Sequence, residues 1–273
     1  MKIAILVDGG FYRKRMTKVK GNLTPKQAAE ELYQYCQRHL YDKQTSKDKT
    51  RHELYRIFYY DCPPLEKKVN HPYDNELIDF SVSTMKQWTD EFFSILSHKR
   101  KVALRLGELN DKVAHFNLKP AVSKKLINGS KTVDQIVKED FRFNVQQKGV
   151  DMKIGLDILT LALKQQVEQI VLIAGDSDFV PAAKMARREG IDFVLDPLGN
   201  KIKDNLSLHI DGLRTCDREY LGFEKKIKKE KPIIIAKATY SAAELRFKTK
   251  GTAYDHIRRP IRRLQSRPRP LWQ

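Results

Sequence analysis

The chain has 273 residues, 41% of them apolar, which suffices for one sizeable core or for a domain of about 200 residues with an extension. A formal net charge of +18 and a pI near 9.7 favour a polyanionic partner through counterion release, nucleic acid ahead of an anionic membrane surface. No stretch approaches the ~20 apolar residues of a membrane span, so no insertion is expected. Cys36, Cys62 and Cys216 are odd in number and widely spaced, which argues against a disulfide framework or a zinc cluster and suits a reducing cytoplasm.

Residues 2–7 (KIAILV) form a continuous apolar run that ends at Asp8 with no small-residue cleavage site behind it. They read as a buried strand, not a signal peptide. Gly9 and Gly10 then permit close backbone approach. A helical pattern follows over 25–40, and residues 53–60 (ELYRIFYY) read as a strand stopped at Asp61-Cys62-Pro63-Pro64 by its two prolines. A helix is expected over 74–96 and a strand over 101–106.

Beyond Lys148-Gly149-Val150 a helix is expected over 151–166, with Asp151 at its N-cap or first turn. A strand at 169–174 leads into Gly175-Asp176-Ser177-Asp178-Phe179, ahead of a helix at 181–189. A strand at 192–195 and a short helix at 201–208 complete the pattern. This alternation predicts an α/β fold with a mainly parallel central sheet and helices on both faces.

From residue 222 the composition shifts: 15 Lys or Arg stand against 4 Asp or Glu, so this extension carries +11 and the first 221 residues +7. The expected division is therefore a domain at 1–221 and a basic C-terminal extension at 222–273. In the extension, Arg258, Arg259, Arg262 and Arg263 belong to an Arg- and Pro-rich run unsuited to a core and suited to phosphates, and Tyr240, Phe247, Tyr254 and Trp272 are candidates for base stacking.

Ligand sites of parallel sheets gather at the carboxyl ends of strands, where Asp8, Asp176 and Asp178 fall. Each also has an ordinary role: Asp151 and Asp178 as helix caps, an isolated strand-end Asp as a turn residue. Capping alone does not explain why Asp8 and Asp176 should share strand ends, and the two uses are expected to exclude one another. Two carboxylates ~4 Å apart repel by about 4 kcal/mol at an effective dielectric of 20, which calls for a cation. All-oxygen donors suit Mg²⁺ or Mn²⁺. Such an ion activates water and stabilises charge on a phosphodiester oxygen, so hydrolysis of a nucleic-acid backbone is the expected chemistry. Asp157, six residues along the helix from Asp151, is turned by about 240° and raised ~9 Å, which sets it outside the ion's direct ligands. Ser177 joins it in a supporting tier. Arg142, Lys148 and Lys153 are candidate phosphate contacts near Asp151.

These pieces together resemble the NYN domain, in its LabA-like (DUF88) branch, of the PIN-like nuclease superfamily. The matching residues are Ile5-Leu6-Val7-Asp8-Gly9-Gly10-Phe11, Lys148-Gly149-Val150-Asp151 with Asp157, and Leu172-Ile173-Ala174-Gly175-Asp176-Ser177-Asp178-Phe179 followed by Pro181. The resemblance covers 1 to about 215 and implies a three-layer α/β/α PIN-like fold. It further implies an acidic pocket for Mg²⁺ or Mn²⁺, with Asp8, Asp151 and Asp176 as central ligands and Asp178 as a further ligand or water-positioning group. RNA is the implied substrate, favoured over DNA, and an endoribonuclease the implied enzyme. The sequence departs from the pattern at Phe11, where many relatives carry Asn. Residues 98–147 are longer than a minimal domain needs, so an insertion is expected there. Paired subunits would lengthen a basic groove, and a homodimer is among the expectations.

Two rivals remain at this stage. A haloacid-dehalogenase-like phosphatase shares Gly175-Asp176-Ser177 but needs a second Asp two residues after Asp8, where Gly10 stands. A non-catalytic nucleic-acid-binding module would keep the fold and use the basic surface alone.

Overall fold

The computed structural model describes residues 1–41 and 51–221. Apolar, largely β-branched runs make the strands: β1 (Lys2–Asp8), β2 (Glu53–Asp61), β5 (Val102–Leu106), β8 (Gln169–Ile173), β9 (Asp192–Asp196) and the short β10 (Gly212–Leu213). They form one six-stranded sheet in the order β10-β9-β8-β1-β2-β5, every pairing parallel. The chain builds outward from β1 through β2 to β5 and later resumes at β8 on β1's other side. The strand order therefore reverses between β1 and β8, the place where open α/β sheets form a ligand crevice beyond their carboxyl ends.

Because side chains alternate along a strand, each strand feeds two cores. Ala4 and Leu6 face Ile154 and Ile158 of α5 (Val150–Leu163) and Ala183 and Ala186 of α6 (Val180–Arg188). Ile3, Ile5 and Val7 face the opposite layer, where α1 (Gly9–Lys20) brings Tyr12 and Met16, α2 (Pro25–Arg38) brings Leu32 and Tyr35, and α3 (Thr84–Ser97) brings Phe92 and Leu96. The three-layer α/β/α architecture and its parallel sheet agree with the sequence expectation.

Local differences have local causes. The helix expected over 74–96 begins only at Thr84, where Ser83 Oγ accepts the Lys86 amide at 3.2 Å, while Asp79 turns the chain by accepting the Ser81 amide at 2.9 Å. Short polar side chains offered the backbone an alternative to helix there, and β3 (Lys68–Asn70) and β4 (Leu77–Asp79) form a hairpin instead. Residues 108–148 hold an antiparallel ribbon, β6 (Glu108–Leu118) and β7 (Phe141–Lys148), bracketing α4 (Pro120–Ile127). The ribbon packs on the β3–β4 segment through aromatics, with Phe80 and Phe143 rings 4.4 Å apart and His71 edge-on to Phe116 at the same distance. A last short helix, α7 (Asp204–Ser207), follows β9. Among the described residues no helix is long and apolar enough to cross a membrane.

Candidate active site

The carboxyl edge at the β1/β8 reversal carries the aspartates. Asp8 ends β1 and caps α1, its Oδ1 accepting the Phe11 amide at 3.0 Å. Asp176 lies just beyond β8 and caps the single turn at Ser177–Phe179, its Oδ1 accepting the Asp178 amide at 3.2 Å. Asp151 lies in the first turn of α5, whose N-cap is Gly149. The expectation that capping and a strand-end site exclude one another is thus corrected: both aspartates cap. A carboxylate has about four lone-pair positions, so one capping hydrogen bond leaves the group able to accept more.

Two of the four side chains, Asp8 and Asp151, are shifted by burial and by neighbouring carboxylates. Burial, opposed by the Phe11 amide and then reinforced by the charges of Asp151 and Asp61, lifts the Asp8 carboxyl to about 6. Asp151 is raised by burial and then by Asp176 and Asp178. The electrostatics therefore link β1, the start of α5 and the turn after β8 into one acidic zone. Asp151, Asp176 and Asp178 are exposed, Asp8 only partly so.

Sequence reasoning passed over Asp61, whose prolines drew attention as a stop. It ends β2 as Asp8 ends β1, and that parallel was the available signal. It is almost wholly buried, paired with Arg13 Nη2 at 2.8 Å and hydrogen-bonded by Tyr59 at 3.0 Å. Gln147 was also missed: its Oε1 lies within 3.8 Å of where a Cβ on Gly10 would sit. Lys203 was missed too, and its Nζ donates to Ser177 Oγ at 3.0 Å.

Phe11, the departure from the family pattern, is a packing residue. A Cβ on Gly175 would lie 2.5 Å from its ring, so the two acidic turns meet through Phe11 lying on a glycine. Asp157 binds elsewhere: Tyr60 donates to it at 2.7 Å and Arg105 Nε at 3.1 Å. Among the candidate cations, Lys148 is exposed at the end of β7, three residues before Asp151, and Lys153, two residues after it, donates to the Leu106 carbonyl. Arg142 pairs in register with Asn117, six residues up the strand from Lys148, a separation of roughly 20 Å. Arg258, Arg259, Arg262 and Arg263 and the aromatic residues of the extension lie outside the described residues.

The donor set suits a hard divalent cation, being carboxylate oxygen whose mutual repulsion such a charge would relieve. Yet among the described residues no three of the His, Cys, Asp and Glu side chains converge in a group that could hold a metal ion.

Fold and edge together define a three-layer α/β protein with an acidic site at the switch point of a parallel sheet. An NYN domain, a member of the PIN-like nuclease superfamily, is present at residues 101–204. That span takes in Asp151, Asp157, Asp176 and Asp178, while β1 with Asp8 precedes it. The domain supports a nuclease-type function in general terms. Among solved structures, a protein of unknown function from Vibrio parahaemolyticus is similar at 15% identity, covering 80% of this chain and 94% of that one, with a TM-score of 0.41. A Sir2 protein solved with an inhibitor and a peptide is similar at 10% identity, covering 84% and 93%, with a TM-score of 0.28. No curated protein matches the chain.

Proposed function

We propose that the protein is a divalent-metal-dependent nuclease, an endoribonuclease of the LabA-like NYN branch, with Asp8, Asp151 and Asp176 holding Mg²⁺ or Mn²⁺ and Asp178 assisting. One observation carries the reading: carboxylates from three separate segments share an edge, and on top of burial the Asp151 charge raises Asp8 while the Asp176 and Asp178 charges raise Asp151. That arrangement costs stability unless a cation or a proton occupies it. When bound, the ion supplies an activated water and charge stabilisation at a phosphodiester oxygen.

The chain's own residues supply placement. The α1 cap fixes Asp8, and the Phe11–Gly175 contact holds the two acidic turns together. The exposed Asp151, Asp176 and Asp178 can change rotamer on the ps–ns scale to close on a cation. Lys148, exposed three residues before Asp151, is the candidate phosphate contact nearest the acids in the chain; Lys153, two residues after Asp151, would have to release the Leu106 carbonyl, and Arg142 lies farther along the strand. Residues 222–273 carry +11 of the net charge, and their deletion should weaken RNA binding and flatten its salt dependence. The three free cysteines suit a reducing cytoplasm.

A degradation assay on matched single- and double-stranded RNA and DNA, with Mn²⁺, Mg²⁺ or chelator, tests the proposal against Asp176→Asn. Metal-dependent cleavage of RNA that the variant loses is expected, and equal activity in both proteins would sink it. A second reading, a non-catalytic nucleic-acid-binding module, draws support from the failure of three acids to converge among the described residues. It requires binding without turnover under every metal condition.

A further inference from the structure

A groove of about 690 Å³ separates α1 from α3, lined by Arg13, Lys14 and Met16, by Leu23 from the following turn, and by Met85 and Trp88. Small polar side chains line the remainder, and none of the lining residues is acidic. Trp88 stacks on Phe92, with centroids 5.1 Å apart and planes 16° apart, and its N–H donates to the Leu23 carbonyl at 2.9 Å. With one face covered and its polar atom satisfied, Trp88 offers the groove apolar ring surface. Met85, 74% exposed, is a second soft apolar wall. Lys14 is exposed and has no carboxylate partner among the described residues.

One residue, Arg13, links the groove to the buried carboxylate at the end of β2. Arg13 lines the groove and also holds Asp61, whose charge is felt by Asp8. It stands four residues into α1 from Gly9, a rise of ~6 Å from the end of β1. A ligand here therefore lies next to the Arg13–Asp61 pair.

We propose that this groove binds an unpaired nucleotide of a single-stranded nucleic acid, its base against Trp88 and Met85 and its phosphate at Lys14. The identity of that strand as the one passing the carboxylates rests on the nuclease reading above. An apolar wall with a cation at its rim fits an aromatic anion, and the volume falls in the ~300–1,000 Å³ range of small-ligand sites. Bases inside a duplex have both faces covered, so only an unpaired nucleotide presents a face for stacking. Removing such an aromatic contact weakens single-strand binding by roughly 5- to 150-fold.

The protein has two tryptophans, Trp88 and Trp272, so the full-length Trp272→Phe variant makes Trp88 the sole indole reporter. Titration with a 12-nucleotide single-stranded RNA in EDTA, where cleavage plays no part, is followed by indole emission and by anisotropy of a labelled copy. Saturable quenching with the same midpoint as the anisotropy is expected, with Lys14→Glu and Met85→Glu, both at exposed positions, each weakening it by about 10-fold. A matched duplex should quench little. Binding by anisotropy with unchanged Trp88 emission, no binding at all, or indifference to both substitutions would overturn the proposal. Quenching by AMP at the concentrations that suffice for the 12-mer would overturn the strand assignment. Quenching retained in a protein that cleaves nothing with Mg²⁺ or Mn²⁺ would remove the nuclease reading and leave the groove standing. Cleavage without quenching would do the reverse.

Discussion

Arg13 and Asp61 hold one another beside the acidic edge: one guanidinium nitrogen, Nη2, lies 2.9 Å from Oδ1 and 2.8 Å from Oδ2 of a carboxylate that is 1% exposed. Burial raises the Asp61 carboxyl, and the Arg13 charge is the first influence pulling it back. Arg13→Gln should leave a buried charge unpaired and cost about 3–5 kcal/mol. Asp61→Asn added to it should recover most of that loss, because the pair then fails together. Urea midpoints of the two single variants and the double variant test this, and simple additivity would refute the coupling.

Asp8 carries the clearest acid–base prediction. Its carboxyl rises from 3.8 to about 6 because burial, against the Phe11 amide, is joined by the Asp151 and Asp61 charges. A carboxylate must lose its proton to ligate a cation. Mn²⁺ affinity measured by calorimetry should therefore be level well above pH 6 and fall by up to about tenfold per unit below it. In metal-free buffer the sign for stability is opposite. The folded state holds the proton more tightly than the unfolded, so this group favours folding in acid and loses that contribution as pH rises through about 6. Asp8→Asn, which still caps α1, should raise metal-free stability at pH 7 by roughly 1–2 kcal/mol while weakening Mn²⁺ binding. A destabilised variant would show that the acidic edge carries no charge strain.

Gly9 and Gly10 are adjacent and should behave differently. A Cβ on Gly9 would lie 2.5 Å from Tyr59 Cζ and 2.6 Å from the Tyr60 carbonyl oxygen, a backbone atom of the neighbouring strand. On Gly10 the nearest atoms are ordinary contacts, Asp8 Oδ1 at 3.5 Å and Gln147 Oε1 at 3.8 Å. Gly9→Ala should cost about 3 kcal/mol by forcing β1 from β2, whereas Gly10→Ala should be neutral or stabilise α1 by about 0.5–1 kcal/mol. Similar melting temperatures for the two variants would contradict this.

The same glycines explain part of what the sequence concealed. Continuous apolar runs stopped by an acidic or small residue announced β1, β8 and β9, because strands buried on both faces need no alternation. The run ending at Asp61 was equally plain, but the prolines behind it disguised a buried carboxylate as a simple stop. Gly9-Gly10, poor helix formers, hid α1, which starts there because Asp8 caps it. The β6–β7 ribbon, a separate two-stranded sheet, lacks the continuous apolar run that marks a buried strand. Asp176 was legible by position, whereas its use as a cap depends on local backbone geometry that spacing does not encode.

One strand over from β8 on the same carboxyl edge, Asp196 at the end of β9, in register with Ile173, gathers four donors in a wholly buried site. Tyr35 and His39 of the α2 segment donate to one oxygen, the latter at 2.9 Å, and the Leu198 amide and Thr215 hydroxyl donate to the other at 2.8 Å each. Burial alone would depress the imidazole, but the Asp196 hydrogen bond overrides it and lifts His39 from 6.5 to about 9. The pair therefore contributes stability that is full below pH 6.5 and is lost as pH rises through about 9. The slope should approach 1.4 kcal/mol per pH unit across that interval. His39→Gln keeps a donor for Asp196 but removes the titration, so its stability should be lower at pH 6 by about 3 kcal/mol and flat toward pH 9. Chemical denaturation of both proteins at pH 6, 7.5 and 9 measures this. Parallel curves would mean that His39 is neutral throughout and that α2 is held to β9 by hydrogen bonds without charge.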